Sequence, residues 1–266
     1  MAVIAASTPL FPCFPPDRSF ACCKVLSVST PKITGTFNAI FKSFIPDETA
    51  VDAVTGGDAG TMVFEAIESR GVIPLAWGEN GFRQVSNSRG PISQPEDLDG
   101  RKIRVVGSPL FQDTFSALGA DPTQMSWTDA QPALTTGAVD GQENPLSVFD
   151  VARIDQVGQE HLTLWNYMND PLIFAVNQQV WQSLSEEQQA MLRETAEEAG
   201  AWEIAMTREQ ESERLAAIQE RGVTVTELTD EQYQAFVDAT QSVYEKWTPR
   251  IGEEVVNAAQ AAIDAR

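Results

Sequence analysis

One histidine, His161, serves the whole chain of 266 residues. A Ser-His-Asp triad and a multi-histidine metal site both need imidazoles that other side chains rarely replace, so chemistry of those kinds is disfavoured. Cysteine is as scarce. Cys13, Cys22 and Cys23 lie close to the start without zinc-type spacing, and everything after them is cysteine-free. That pattern fits either a reducing compartment or a large periplasmic protein stable without disulfides. Bases are few as well: 18 Lys and Arg stand against 38 Asp and Glu, a formal net charge of −20. So negative a surface repels phosphate backbones and argues against a nucleic-acid partner. No run approaches the about 18 consecutive apolar residues that a membrane-spanning helix requires. What is present is 42% hydrophobic residues, enough for one large or two small domains with a packed core.

Charge divides the chain in two. Residues 1–46 carry one acid, Asp17, against Arg18, Lys24, Lys32 and Lys42; residues 47–266 hold the other 37 acids and 14 bases. Pro9, Pro12, Pro15, Pro16 and Pro31 interrupt any helix in the first 35 residues. That segment has no basic n-region and its apolar run is broken, so it does not read as a secretory signal. It is expected to be an irregular, atypical leader, foreign to the rest or an unusual targeting or linker piece.

From Asp47 onward strands and helices alternate, which predicts an α/β protein. Asp47 caps a first helix ending at Gly56-Gly57, and Thr61 to Ile67 forms a second, closed by Gly71. Strands are expected at Val72 to Trp77, Arg83 to Asn87, Lys102 to Val106, Val139 to Gln142, Leu162 to Trp165 and Leu172 to Val176. Ser108-Pro109 opens a helix that Gly119 ends, and Thr128 with Gln131 reads as a capping box. Ser185 with Gln188 opens a run to Arg221, a single helix of about 36 residues and ~54 Å. Its apolar positions do not sustain a heptad, so a strut shared by two lobes is preferred to a coiled coil. Gly222 ends it, Val223 to Val225 is a short strand, and Thr229 with Gln232 caps a last helical region interrupted at Pro249.

The residues that can carry function are few. Arg104 sits in an otherwise apolar strand, where a structural ion pair and the capture of a ligand carboxylate both fit a planar guanidinium. Arg83 poses the same choice. Asp140-Gly141-Gln142-Glu143-Asn144-Pro145 puts polar groups at a strand end, as a turn or as a ligand contact. Glu143 is tied by no motif to a second carboxylate, a nucleophile or a metal cluster, so catalysis is poorly supported. Trp127 stacks on a ligand or fills the core.

Gly81-Phe82-Arg83-Gln84-Val85-Ser86-Asn87-Ser88, then Lys102-Ile103-Arg104-Val105 with Gly107-Ser108-Pro109-Leu110-Phe111, then Leu118-Gly119-Ala120 and the Asp140 to Pro145 run occur in that order. Together they resemble the DctP-type solute-binding proteins of TRAP (tripartite ATP-independent periplasmic) transporters, over about residues 36–266. The resemblance implies a two-lobed periplasmic-binding-protein-like fold closing on a ligand at its hinge, with a long helix, here Glu186 to Arg221, spanning both lobes. It implies capture of a small organic acid and delivery to TRAP permease subunits in the periplasm, with no catalysis, cofactor or metal. By the same resemblance Arg104 matches the carboxylate-binding arginine, Arg83 an assisting one, Asn144 an asparagine on the same carboxylate, Trp127 an aromatic on the ligand and Asn166 a polar pocket position. Gln131 and Gly107 depart from commoner choices. Residues 36–81 and 170–210 are assigned to lobe one with the hinge helix, and 82–169 and 211–266 to lobe two.

The family's first strands and helices have no counterpart here, so lobe one is expected to be incomplete, with parallel strands left unpaired at their edges. A truncated, non-binding remnant therefore remains an alternative, as does an enzyme using Glu143 or Asp140 on the same scaffold.

Overall fold

The computed structural model describes residues 45–266. The expected leader at 1–35, the three cysteines and the segment 36–44 lie outside the described residues.

Two short helices come first: α1 (Glu48–Thr55) and α2 (Asp58–Glu68). Asp47 caps α1 as its position implies, accepting from the Ala50 N–H at 2.9 Å. The chain then enters β1 (Val72–Asn87), a single 16-residue strand where two strands were expected. The strand continues because its irregularities are absorbed locally. Pro74 coincides with a register shift, and a second shift lies between Glu79 and Phe82, where Gly81 adopts φ +96°. Such bulges bend a strand without ending it, and only glycine takes that φ at little cost.

The remaining elements are β2 (Lys102–Val105), α3 (Pro109–Ala117), β3 (Asp121–Gln124), α4 (Trp127–Thr135), β4 (Gly141–Pro145), α5 (Leu146–Val151), β5 (His161–Leu164), β6 (Asn169–Asn177), α6 (Gln178–Gln182), α7 (Glu186–Glu209), α8 (Glu211–Glu220), β7 (Thr224–Glu227), α9 (Asp230–Ile251) and α10 (Glu253–Asp264). Polar β3, with Pro122, gave no strand signal; it is an edge strand, where proline is tolerated. The sheet order is β3-β2-β4-β1-β5-β7, with β6 also on β1. β1 is antiparallel to β4, β5 and β6, whereas β2 runs parallel to β3 and β4, and β5 parallel to β7. The ribbon formed by the first half of β1 with β6 is thus antiparallel, correcting the expectation of parallel strands there.

Three caps hold, one moves, and the Ser108 side chain makes none. Ser185 with Gln188 and Thr229 with Gln232 form complete capping boxes. Thr128 does not cap α4; Ser126 does, accepting from the Asp129 N–H, while Gln131 donates to the Ala152 carbonyl. Pro249 does not interrupt α9, which runs on to Gly252 at φ +122°. The expected helix from Glu186 to Arg221 is two helices meeting at Gln210. Their burial explains the break: α7 places Ala196 with Ile73, Leu75 and Ala76 of β1, whereas α8 sends Ile218 into a separate cluster with Leu146, Phe149, Ile154 and Leu162.

The largest core lies around Phe111, Phe115, Trp165, Tyr167 and Phe236, and extends to the packed helices α1, α2 and α10. α7 lies directly on β1. At Gly200 a Cβ would stand 2.2 Å from the Trp77 carbonyl oxygen, so helix and strand backbones touch there. Gly200→Ala is therefore expected to destabilise the protein by about 1–3 kcal/mol, the cost of overpacking. A fall in the urea midpoint with an unchanged slope would show it.

Candidate functional site

In β2 the side chains alternate between faces. Ile103 and Val105 enter the apolar core, and Arg104 therefore points to the other face, where it is also buried, with 3% of its surface exposed. Its Nε and Nη2 both donate to the Met125 carbonyl, at 3.3 and 3.1 Å. Its Nη1 is buried and finds no hydrogen-bond partner among the described residues. The Trp127 ring lies 5.4 Å from the guanidinium carbon, a cation–π distance. Burial lowers the pKa of Arg104; the Glu143 charge opposes that shift and the Arg83 charge adds to it. The result is a buried cation held by one neutral carbonyl and one aromatic face.

Arg83 has the opposite surroundings. In β1 opposite Pro145, it is equally buried, and its Nε donates to Glu143 Oε2 at 2.5 Å. Nη1 donates to Asp170 at 2.8 Å, and Nη2 to the Glu143 carboxylate and carbonyl and to Asn144 Oδ1. Burial alone would lower its pKa, but the charges of Glu143 and Asp170 raise it well above the usual value. The Tyr167 hydroxyl donates to Glu143 Oε2 at 2.5 Å, and burial, then the Glu143 charge, pushes that phenol well up. Arg83, Glu143, Tyr167 and Asp170 form a hydrogen-bonded knot in which the arginine's charge is more than balanced by two carboxylates.

Asn144, next to it, is 7% exposed. Its Oδ1 accepts from Arg83 Nη2 at 3.2 Å and its Nδ2 donates to Gln142 Oε1 at 2.5 Å. Gln142 is also the register neighbour of Arg104 on β2, so β4 joins the two arginine strands. Trp127 opens α4 and is half-buried. Asn166 is exposed, in the left-handed region at φ 50°, and its bonds go to Gln84: its N–H donates to Gln84 Oε1 at 2.9 Å and its Oδ1 accepts from Gln84 Nε2. The two carboxylates considered for catalysis are both engaged. Glu143 is held by Arg83 and Tyr167, while Asp140 pairs with Arg89 at 2.9 Å and accepts the Lys102 N–H.

The Met125 carbonyl, Tyr167 and Asp170 were not singled out by sequence reasoning, and Gln142 only as part of the Asp140 to Pro145 run. A backbone acceptor leaves no trace in residue type, and no motif marks Tyr167 or Asp170. Ser108 precedes Pro109 at the start of α3 as expected, but its Oγ makes no cap; it is buried and finds no partner among the described residues. No group of His, Cys, Asp or Glu suited to a metal ion occurs among the described residues, and none of their helices is long and apolar enough to cross a membrane.

Known proteins resemble the chain in sequence and fold. The family model described as bacterial extracellular solute-binding protein, family 7 (DctP), matches residues 29–250. A TRAP periplasmic solute-binding protein from Ralstonia eutropha H16, solved with bound (S)-2-acetolactate, is 49% identical with a TM-score of 0.83, covering 86% of this chain and 74% of that one. The sugar acid binding protein DctPAm from Advenella mimigardefordensis, solved with galactonate, is 29% identical with a TM-score of 0.83, covering 88% and 74%. The C4-dicarboxylate-binding periplasmic protein DctP of Rhodobacter capsulatus is 32% identical over 217 residues, covering 81% of this chain. This chain spans 65% of the length of that relative. The chain belongs to the bacterial extracellular solute-binding proteins of family 7, the DctP-type solute-binding proteins of TRAP transporters.

Proposed function

We propose that the chain captures a small organic acid in the periplasm for delivery to a TRAP permease, and that Arg104 receives the ligand's carboxylate. The observation that carries this reading is the state of that guanidinium: buried, charged, and with Nη1 unpartnered among the described residues. A buried charge with no counter-ion in direct contact is costly, and such perturbed groups cluster at functional sites, where a ligand carboxylate supplies the missing partner. Met125 occupies the edge formed by Nε and Nη2. The carboxylate therefore meets Arg104 end-on, through Nη1 and the remaining Nη2 hydrogen, beside the Trp127 ring. Asn144 supplies a further donor through the free hydrogen of Nδ2.

Arg83 assists at one remove on this reading, because Glu143 and Asp170 already neutralise it. Its Nη2 orients Asn144. Closure of two lobes on the ligand follows if the acid favours the closed form by bridging both. On this reading the lobes meet where β1 passes from β6 to β4 and β5, and α10, assigned above with lobe two, belongs with lobe one because it packs on α1 and α2. The bound acids of the Ralstonia and Advenella relatives both carry a carboxylate beside a hydroxyl-bearing carbon, and they set the panel to test.

Melting curves with 2-acetolactate, galactonate, succinate, 2-oxo acids and uronates test the reading. A true ligand at about 100 times its Kd stabilises by about 2.7 kcal/mol, a clear rise in Tm. Absence of a shift with every carboxylate, alongside one with a cationic or uncharged solute, would overturn it.

A further inference from the structure

Below Asn144 a series of hydrogen bonds runs from the proposed site to the far end of the sheet. Arg83 Nη2 donates to Asn144 Oδ1 at 3.2 Å, and Asn144 Nδ2 to Gln142 Oε1 at 2.5 Å. Gln142 Nε2 donates to Ser86 Oγ at 2.8 Å, in register across β4 and β1. Ser86 Oγ donates to Gln159 Oε1 at 3.1 Å, and Gln159 Nε2 to the Asp140 carbonyl at 3.3 Å. Gln142, Ser86 and Gln159 are each 0% exposed, so no bulk water stands ready to replace a broken link.

The two ends of this series have fixed polarity. A guanidinium only donates and a backbone carbonyl only accepts, whereas amides and hydroxyls do both. Between such ends only one arrangement satisfies every member: each amide turns its oxygen toward Arg83 and its nitrogen toward Asp140. The Ser86 hydroxyl is pivotal, since it must accept from one glutamine and donate to the next. Were Asn144 to rotate by half a turn, its nitrogen would face Arg83 and its oxygen Gln142 Oε1, leaving two unfavourable contacts in a buried place.

We propose that Ser86 and Gln159 are positioning residues for ligand recognition: through Gln142 they hold the Asn144 amide so that it offers the ligand an N–H and not a carbonyl. Resting on the reading of Asn144 as a ligand contact, this fixes the sign of that contact. An N–H beside Arg104 suits a carboxylate or hydroxyl acceptor, while a carbonyl there would repel a carboxylate and admit a donor such as an ammonium group. Selection for acids then comes from the orientation of a neutral amide as well as from the arginine's charge. The control lies one and two links beyond Gln142, in residues that do not touch the ligand.

Ser86→Ala is the first test, with 2-acetolactate, galactonate and succinate as probes. Affinity is expected to fall on the order of tenfold, the worth of one hydrogen bond to a charged group. In an Asn144→Ala background the same substitution should change affinity by less than about twofold, as coupling through Asn144 requires. A general loosening of the fold would lower affinity equally in both backgrounds, and that result, or no fall in either, overturns the proposal. Gln159→Met serves as the second variant should Ser86→Ala fold poorly, with the same two outcomes. A third readout needs no ligand. The Asn144 side-chain amide, identified in NMR spectra by its loss in Asn144→Ala, should exchange slowly in the parent and faster in Ser86→Ala or Gln159→Met; unchanged exchange overturns the proposal. Arg104→Met run in parallel separates the two readings: retained carboxylate binding there rejects the arginine assignment, while the Asn144 coupling and exchange still judge the relay.

Discussion

Replacement of Arg104 by methionine should abolish carboxylate binding and at the same time raise the melting temperature of the ligand-free protein. Both effects come from one cause. In the structure the guanidinium is buried against Met125 and Trp127 with no carboxylate in contact, so the folded state bears a desolvation cost that the Glu143 charge opposes from a distance and that an anionic ligand in direct contact offsets further. Methionine fills much of the same volume, keeps the contact with the Trp127 ring and removes the charge. Removing one partner of a buried, hydrogen-bonded charge pair costs about 2–5 kcal/mol of binding, a loss of about 300-fold at the middle of that range. Stability of the free protein should rise by about 1 kcal/mol or more, about 2–4 °C, as expected where a strained site is relaxed. Melting curves with and without ligand measure both quantities. If the variant melts lower and also binds less, Arg104 is a structural residue; if affinity is unchanged, the carboxylate enters elsewhere.

The importance of Arg104 was legible from its place in an apolar strand, since alternation along Lys102–Val105 leaves a guanidinium on one buried face. Sequence could not say whether one of the 38 acids pairs with it, because that depends on strand order. Arg83 shows the same limit from the other side. Its partner Glu143 lies sixty residues away, brought opposite by antiparallel pairing of β1 with β4, and no spacing rule reaches that far. The capping boxes at Ser185 and Thr229 were readable because a cap acts over three residues. β1 was read as two strands and α7 with α8 as one helix for a common reason. Where an element bends or breaks is decided by what packs on it: β1 survives its bulges because α7 lies across it, and the helix breaks at Gln210 because its two parts serve different cores.

Arg83→Met should have the reverse effect of Arg104→Met on stability. Here the lost charge is neutralised by Glu143 and Asp170, and its removal leaves the Glu143 carboxylate, 0% exposed, with the Tyr167 hydroxyl as its remaining side-chain partner. Breaking a buried pair in this way costs about 3–5 kcal/mol. The cause is the stranded carboxylate and not the missing arginine, so adding Glu143→Gln should restore part of the lost stability, because a glutamine still accepts the Tyr167 hydrogen bond without a charge. Denaturant titration of the parent, the single variant and the double variant gives the three values. A double variant no more stable than Arg83→Met would show that packing of the arginine over Phe111, 5.4 Å away, matters more than the charge balance. The double variant also separates support from contact. If Arg83 touches the ligand directly, affinity stays lost after the fold recovers; if it acts by orienting Asn144, affinity should fall only to the level of Asn144→Ala. The two arginines, nearly alike in burial, would then differ in the one property that matters: which of them the protein has already neutralised.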